Sequence, residues 1–99
     1  MNDRALSLLG LMRKAGALNV NENSCMQDLS SGKSKMILAS SDSSPRLKER
    51  FAERAAVKSV PFIELNYTKS ELSDALGTNL CAFLSVNDAG FAQAFLKLL

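Results

Sequence analysis

The sequence contains no histidine and no tryptophan, and it has only two cysteines and two prolines among 99 residues. Without histidine, the Ser-His-Asp and Cys-His arrangements of nucleophilic catalysis are excluded. Two cysteines are also too few for an ordinary zinc site. Cys25 and Cys81 lie far apart and form no CxxC pair, so we expect small buried residues in a reducing compartment.

Long hydrophobic runs are also missing. No apolar run approaches the roughly 20 residues that a helix needs to span a bilayer. The opening stretch MNDRALSLLG has no basic region followed by a long apolar segment. We therefore expect a soluble cytoplasmic protein without a membrane partner.

Charge of one sign is not in large excess, since 12 lysines and arginines face 10 aspartates and glutamates, for a net charge of +2. A nucleic-acid-binding domain usually carries a stronger positive total. A polyanionic partner would therefore have to be bound by a local patch of cations. With 99 residues, of which 46% are apolar, the chain can form one core but not two. We expect residues 1–99 to form a single domain.

The stretch SSGKSKMIL contains Gly32-Lys33-Ser34, which matches the end of a nucleotide-binding phosphate loop. That loop needs another glycine five positions before the Gly-Lys pair, where this sequence has Gln27. It must also run from a strand into a helix, whereas here a helical pattern precedes Gly32 and a strand pattern follows Lys33. The stretch therefore does not predict nucleotide binding.

Helical and strand patterns alternate along the chain. Helices are predicted from Asp3 to a stop at Gly16, over 22–31, from Pro45 onward, over 68–77, and from Asn87 or Asp88 onward. Strands are predicted at ALNV, KMILAS, VPFIEL and CAFLSV. The alternation indicates an α/β fold, a three-layer α/β/α sandwich with a small mixed sheet of about four strands covered by helices on both faces.

Two of these helices have clear start signals. Ser44 is placed to cap the third helix, with Pro45 at its first position. Thr68 and Glu71 have the spacing of a capping box, and Gly77 ends that helix. The residues predicted to form the apolar sides of the second, third and last helices are Cys25, Met26, Leu29, Leu47, Phe51, Ala52, Ala55, Phe91, Phe95 and Leu98.

The third helix carries the densest run of charge. Arg46 and Glu49, and likewise Arg50 and Glu53, are spaced to form ion pairs across one turn. The simplest interpretation of this run is a solvated helix face.

Two polar clusters follow predicted strands. The first, NVNENS at 19–24, places amide side chains and Glu22 at the start of the second helix. Amide side chains have both donors and acceptors and can read base edges, although Asn21 or Asn23 would also serve as a simple N-cap. The second, SSDSSP at 40–45, contains no group that would activate a serine, and a turn that caps the next helix explains it.

Two further pairs of residues have alternative interpretations. Lys33 and Lys35 are placed to meet phosphates if the neighbouring loop faces RNA, or else they complement the dipole at a helix C-terminus. Leu80 and Cys81 are either core residues or a loop pair that stacks on an unpaired base.

The order of the stretches LGLMRKAGAL, SGKSKMILASSDSSP, VPFIEL, TKSELSDALG and CAFLSVNDAGFAQA resembles the kink-turn-binding ribosomal protein family, whose archetype is the archaeal large-subunit protein L-seven-Ae. It is most similar to the short bacterial members, described as probable ribosomal proteins. The resemblance covers nearly the whole chain. It implies a three-layer sandwich that binds structured RNA, with no enzymatic activity, no cofactor and no small-molecule substrate.

The resemblance also implies which residues contact RNA. The family's Gly-x-Asn-Glu-x-x-Lys stretch starts at Asn21, so that Asn23 matches the base-reading asparagine. Three positions depart from the family pattern. Ser24 stands where Glu or Gln is usual, Gln27 replaces a phosphate-facing lysine, and Asn21 replaces a glycine.

A second part of the family site falls on later loops. The strand-exit segment Ala-Glu-Asp-x-x-Pro falls on 40–45 and keeps its aspartate and proline. By the same resemblance, Ser44, Lys48 and Lys69 line the place of an extruded loop base, and Asn79 and Leu80 form the loop that covers it. The residues predicted to contact RNA are Asn21, Glu22, Asn23, Ser24, Gln27, Lys33, Lys35, Ser41, Ser44, Lys48, Lys69, Asn79 and Leu80.

Three functions follow as hypotheses. The first is a non-catalytic RNA-binding protein that recognises a kink-turn or a similarly bent RNA, with the ribosome as an expected partner. The second is a protein-interaction or scaffold module on the same fold that has lost kink-turn specificity. The third is a small hydrolase that uses Ser41 in the serine-rich turn, which the missing histidine disfavours.

Overall fold

The computed structural model describes residues 3–99, and its helices and strands alternate in the predicted order. The elements are α1 (Arg4–Lys14), β1 (Leu18–Asn19), α2 (Glu22–Ser30), β2 (Met36–Ala39), α3 (Pro45–Val57), β3 (Phe62–Glu64), α4 (Lys69–Leu76), β4 (Phe83–Val86) and α5 (Ala89–Leu96). The strands are shorter than their apolar runs suggest. Pro61 lies just before β3, an outer strand of the sheet, as its missing N–H requires.

The four strands form one mixed sheet in the order β1-β4-β2-β3. β2 and β3 are parallel, whereas β4 is antiparallel to both β1 and β2. Met36 pairs with Val86 and Ala39 pairs with Phe83, so β2 ends where β4 begins. We call the end of the sandwich where β1, β2 and β3 finish the site end, and the opposite end the far end.

Alternation along the strands divides the core into two layers, which confirms the predicted three-layer sandwich. Ile37, Ala39 and Phe83 pack with side chains of α2 and α3, while Leu38 and Leu84 pack with those of α1, α4 and α5. Side chains at successive strand positions point to opposite faces, so one short strand serves both layers. The rings of Phe51 and Phe83 stack with centroids 4.3 Å apart and planes inclined by 19°.

Local hydrogen bonds begin most of the helices. Thr68 and Glu71 form the predicted capping box, and the side chain of Asp88 accepts from the N–H of Phe91. The predicted side-chain cap at Ser44 is wrong, because the hydroxyl of Ser44 accepts no hydrogen bond from the first turn of α3. The turn is held instead by Ser43, whose hydroxyl donates to the carbonyl of Ser40 at 2.9 Å.

Several predictions about the exposed faces are also wrong. Neither Arg46 with Glu49 nor Arg50 with Glu53 forms an ion pair, and the one pair within residues 3–99 joins the ammonium of Lys48 to the carboxylate of Glu64 at 3.1 Å. Exposed side chains on one helix gain little from pairing and stay solvated instead. The residues predicted as buried that are only partly so are Met26, Leu47 and Ala52. On the apolar side predicted for the last helix, Phe91 is partly buried, and Leu98 follows α5 with an exposed side chain.

No helix within residues 3–99 combines the length and the apolar character that a membrane crossing requires.

Candidate nucleic-acid interface

The N-terminus of α2 lies at the site end, where Val20 and Asn21 connect the end of β1 to the start of the helix. The side chain of Asn21 caps it by accepting from the N–H of Ser24 at 3.0 Å. The backbone of Asn21 is extended, with φ −89° and ψ 125°, so this position uses no left-handed conformation. Of the two caps that the sequence allowed, Asn21 is the one used, and Asn23 is left free.

The first turn of α2 presents polar groups to solvent. The N–H groups of Glu22 and Asn23 have no hydrogen-bond partner among the described residues. The side chains of Asn23 and Gln27 are exposed, while Ser24 is half-buried. A helix N-terminus with free N–H groups attracts anions, and an exposed amide can pair with a base edge.

A buried thiol anchors this turn to the sheet. The thiol of Cys25 donates to the carbonyl of Asn19 at 3.2 Å and lies 3.7 Å from the carbonyl oxygen of Phe83. Burial raises the pKa of Cys25 to about 12. Cys25 is therefore an unreactive packing residue, as the sequence predicted, and both cysteines are free thiols.

The turn after β2 is tied to two other segments at the site end. The N–H of Ser41 donates to the carbonyl of Tyr67 at 2.7 Å, and the N–H of Ser40 donates to the carbonyl of Ala82 at 2.8 Å. The turn also forms a side-chain contact, in which the carboxylate of Asp42 accepts from the N–H of Lys69 at 2.9 Å. Three loops that are distant in sequence are thereby held together.

These contacts gather most of the predicted RNA-binding residues at the site end. The residues that lie there are Asn21, Glu22, Asn23, Ser24, Ser41, Ser44, Lys48, Lys69, Asn79 and Leu80. Leu80 is 67% exposed, so it belongs to the loop surface and not to the core, whereas its neighbour Cys81 is buried. The core interpretation is therefore correct for Cys81 and wrong for Leu80, whose stacking on an unpaired base stays a prediction.

Two predicted residues lie elsewhere. The N–H of Lys35 bonds to the carbonyl of Val86, and Lys33 follows the C-terminus of α2, so both lysines stand at the far end. The nine residues of α2 separate its two ends by about 13 Å. Lys33 and Lys35 therefore do not lie beside the Asn23 turn, because β2 starts at the far end and reaches the site end only after them. Their contact with RNA stays a prediction.

The ion pair of Lys48 with Glu64 could not be predicted from the sequence. Glu64 closes β3 and binds Lys48 across two elements that are 16 residues apart in the chain. No local spacing signals this pair, because the parallel pairing of β2 with β3 creates it. Lys48 therefore has an acidic neighbour where the resemblance implied a free cation.

Acidic and basic groups are balanced at the site end. The charged residues there are Arg4, Arg46, Lys48, Lys69, Lys97, Asp3, Glu22, Asp42, Glu64 and Glu71. Among these cations, Lys48 alone has a carboxylate within 4.0 Å. No group of three metal-ligating side chains occurs in the part of the chain that the structure describes. The arrangement therefore offers amides, hydroxyls and free N–H groups, with little excess positive charge.

The chain resembles known proteins in sequence and in fold, although no family model matches it. In sequence it is 28% identical over 90 residues to a protein of Enterococcus faecium named RNA-binding protein YlxQ, an alignment that covers 91% of this chain and 85% of that protein.

Two solved structures share the architecture. A protein of unknown function from Bacillus halodurans C matches with a TM-score of 0.92 at 25% identity, over 98% of this chain and 97% of that chain. The Giardia lamblia 15.5kD RNA binding protein matches with a TM-score of 0.80 at 15% identity, over 99% of this chain and 87% of that chain. The chain thus shares its fold with both, and it is similar in sequence to a protein named for RNA binding.

Proposed function

We propose that this chain is a non-catalytic RNA-binding protein of the cytoplasm that recognises a kink-turn or a similarly bent structured RNA, in association with ribosomal RNA. The observation that carries the proposal is the first turn of α2. There Asn21 takes the capping role, which leaves the side chain of Asn23 and the N–H groups of Glu22 and Asn23 free for a ligand.

The surroundings of this turn support RNA as the ligand. An exposed amide beside free N–H groups suits a base edge next to a phosphate. Leu80 projects from the neighbouring loop with most of its side chain exposed, as an apolar surface for an unpaired base. The relative named RNA-binding protein YlxQ covers nearly the whole chain, which includes all these elements.

A competition between two RNAs of equal length tests the proposal. One contains a kink-turn and the other is a straight duplex, and both are measured at one stated salt concentration, because affinities for nucleic acid depend strongly on salt. We expect the kink-turn RNA to bind more tightly. Asn23→Ala should reduce this preference by about 5- to 150-fold, since a good bidentate contact to a base contributes about 1–3 kcal/mol.

Gln93→Ala is the matched control, because Gln93 is an exposed amide on α5, in the other helical layer. It should leave binding unchanged. Equal binding of the two RNAs by the unmodified protein, or indifference to Asn23→Ala, would contradict the proposal.

A protein-interaction module is the second candidate, and the charge of the site end favours it. The carboxylates of Glu22, Asp42 and Glu71 lie on the loops and helix starts around Lys69. These carboxylates repel phosphates and would suit a protein partner with basic residues. Selective binding of the kink-turn RNA would count against this candidate.

A further inference from the structure

The outer side of α3 carries a row of cations. Arg46, Arg50, Arg54 and Lys58 are spaced four residues apart, so they follow one side of the helix with a rise of about 6 Å between neighbours. All four side chains are exposed. The row runs from the site end, where α3 begins, to the far end, where Lys58 caps the helix.

These cations are not neutralised within the helix. Glu49 and Glu53 are each three residues from a member of the row, which displaces them by roughly 60° around the helix axis. Neither carboxylate lies within 4.0 Å of a cation of α3. The arginines therefore face solvent with their charges and donors free.

Helix stability does not explain the row. A cation near a helix C-terminus complements the dipole, which accounts for Arg54 and Lys58. Arg46 lies in the first turn of α3, where a positive charge opposes the dipole. Helix stability therefore does not account for Arg46, although this arginine continues the row of cations.

Two lysines extend the row at the far end. The N–H of Ile37 bonds to the carbonyl of Pro61, which brings the segment after Lys58 next to the start of β2. Lys33 and Lys35 immediately precede that strand, and both are exposed. The surface therefore gains two cations from a different part of the chain.

The acidic side chain of Asp28, whose backbone carbonyl accepts from the N–H of Lys33, is already engaged. The carboxylate of Asp28 accepts from the side-chain amides of Asn19 at 2.9 Å and Asn87 at 2.8 Å. The hydroxyl of Ser85 in turn donates to the amide oxygen of Asn87 at 2.6 Å. This network faces the sheet, and it leaves Lys33 and Lys35 without a carboxylate partner within 4.0 Å.

A shallow groove of about 380 Å³ lies beside the row between α2 and α3. It is lined by Met26, Arg50, Glu53, Arg54 and Val57. Val57 is 73% exposed and Met26 is half-buried, so the lining combines apolar side chains with two arginines and one carboxylate. A ridge with apolar stems and cationic heads can lie against a polyanion without burying an unpaired charge.

We propose that this surface, formed by Arg46, Arg50, Arg54, Lys58, Lys33 and Lys35 and called the α3 row from here on, holds the phosphate backbone of an RNA stem that continues from the bent segment. This inference rests on the proposed function and deepens it. The site end reads the bend, but its cations are offset by as many carboxylates, so it cannot by itself supply the neutralisation that RNA binding requires. The α3 row starts at that end and supplies the missing charge.

The test compares two triple variants that remove the same charge. One is R50Q/R54Q/K58Q in the α3 row, and the other is R13Q/K14Q/Q93E, which lowers the net charge equally at the end of α1 and on α5, in the other helical layer. Each protein is titrated with a kink-turn RNA that has a long flanking stem, and with the same RNA whose stem is cut back to a few base pairs. Affinity is measured across a range of salt concentrations.

We expect the α3 variant to reduce the slope of log affinity against log salt by about 2 to 3, because each lost phosphate contact removes about 0.7–0.9 from that slope. The loss should appear with the long stem and largely disappear with the short one. The control variant should retain the slope of the unmodified protein. Urea unfolding of both variants checks the fold, and R50K/R54K/K58R, which keeps all charges, should bind like the unmodified protein.

The outcomes separate the two proposals. A preference for kink-turn RNA over straight duplex, together with equal slopes for the two triple variants, would overturn the α3 row and leave the proposed function intact. Loss of slope in the α3 variant without any preference for kink-turn RNA would overturn bend recognition and retain the backbone surface. Absence of RNA binding by the unmodified protein would overturn both.

Discussion

The carboxylate of Asp42 accepts a hydrogen bond from the backbone N–H of Lys69 at 2.9 Å, which joins two turns that are 27 residues apart. This N–H is the main reason that the pKa of Asp42 lies below its ordinary value of 3.8. The bond binds the first N–H of α4, next to the capping box in which Thr68 and Glu71 bind each other's N–H groups. It thereby fixes Lys69 relative to the serine-rich turn.

This bond can be tested by comparing Asp42→Ala with Asp42→Asn. The alanine removes the acceptor, so we expect the β2–α3 turn to loosen and the affinity for kink-turn RNA to fall several-fold. The asparagine keeps an acceptor oxygen in the same place and should retain most of the affinity. Because Asp42 is an anion near a polyanion, tighter binding by Asp42→Ala would mean that charge repulsion outweighs loop order, contrary to this prediction.

Asn21 should matter for stability more than for RNA selection. Its side-chain oxygen is occupied by the N–H of Ser24, so Asn21→Ala removes the N-cap of α2. The expected loss is about 1 kcal/mol of unfolding free energy, measured by urea denaturation. Asn21→Ser keeps a capping oxygen and should lose only a fraction of this. A full loss in Asn21→Ser would show that the stability comes from another contact of the side chain.

Gln27→Lys should strengthen RNA binding. Gln27 is exposed on α2 one turn beyond the free Asn23, and the new ammonium would face the backbone of an RNA bound there. One added phosphate contact steepens the slope of log affinity against log salt by about 0.7–0.9. Gln93→Lys, at an exposed position on α5 in the other helical layer, controls for added charge alone. An equal gain from both variants would rule out a specific phosphate at position 27.

The hydroxyl of Tyr67 donates to the carboxylate of Asp3, the N-cap of α1. This bond is the largest cause of the lowered pKa of Asp3, and burial together with the bond raises the pKa of Tyr67 to about 12. Since the folded pKa of Asp3 is depressed, its stabilising contribution is present above the ordinary value of 3.8 and is lost as the pH falls from there through the lowered pKa. Tyr67→Phe should raise the pKa of Asp3, as followed by carboxyl NMR. An unchanged pKa would assign the shift to the two cap N–H groups.

The stacked pair of Phe51 and Phe83 fixes α3 against the sheet. Both side chains are about 1% exposed, so Phe51→Ala should reduce the unfolding free energy by roughly 3–5 kcal/mol through lost contacts and the cavity left behind. Phe51→Leu, which fills much of the cavity, should lose clearly less. Similar losses for both variants would indicate that the ring geometry, and not the filled volume, holds the two layers together.

Local patterns in the sequence were sufficient to predict the order of the elements, the layers and several caps. The capping box of Thr68 and Glu71 joins groups three residues apart, and the stop at Gly77 is a single residue with φ 63°. Such features form within one turn of the chain, so the sequence specifies them without reference to the rest of the fold. Local patterns were not sufficient at Ser44, whose predicted cap is wrong because the hydroxyl of Ser43 holds that turn instead.

The site itself depended on contacts between distant segments. The sequence by itself determined that an exposed amide would stand at the start of α2, because Asn21 and Asn23 cannot both cap one helix. Only the tertiary structure decided that Lys48 binds Glu64 and that Lys33 stands at the far end. The reason is physical, since hydrogen bonds within a turn follow from the spacing of residues, whereas the direction and pairing of strands decide which separate turns meet.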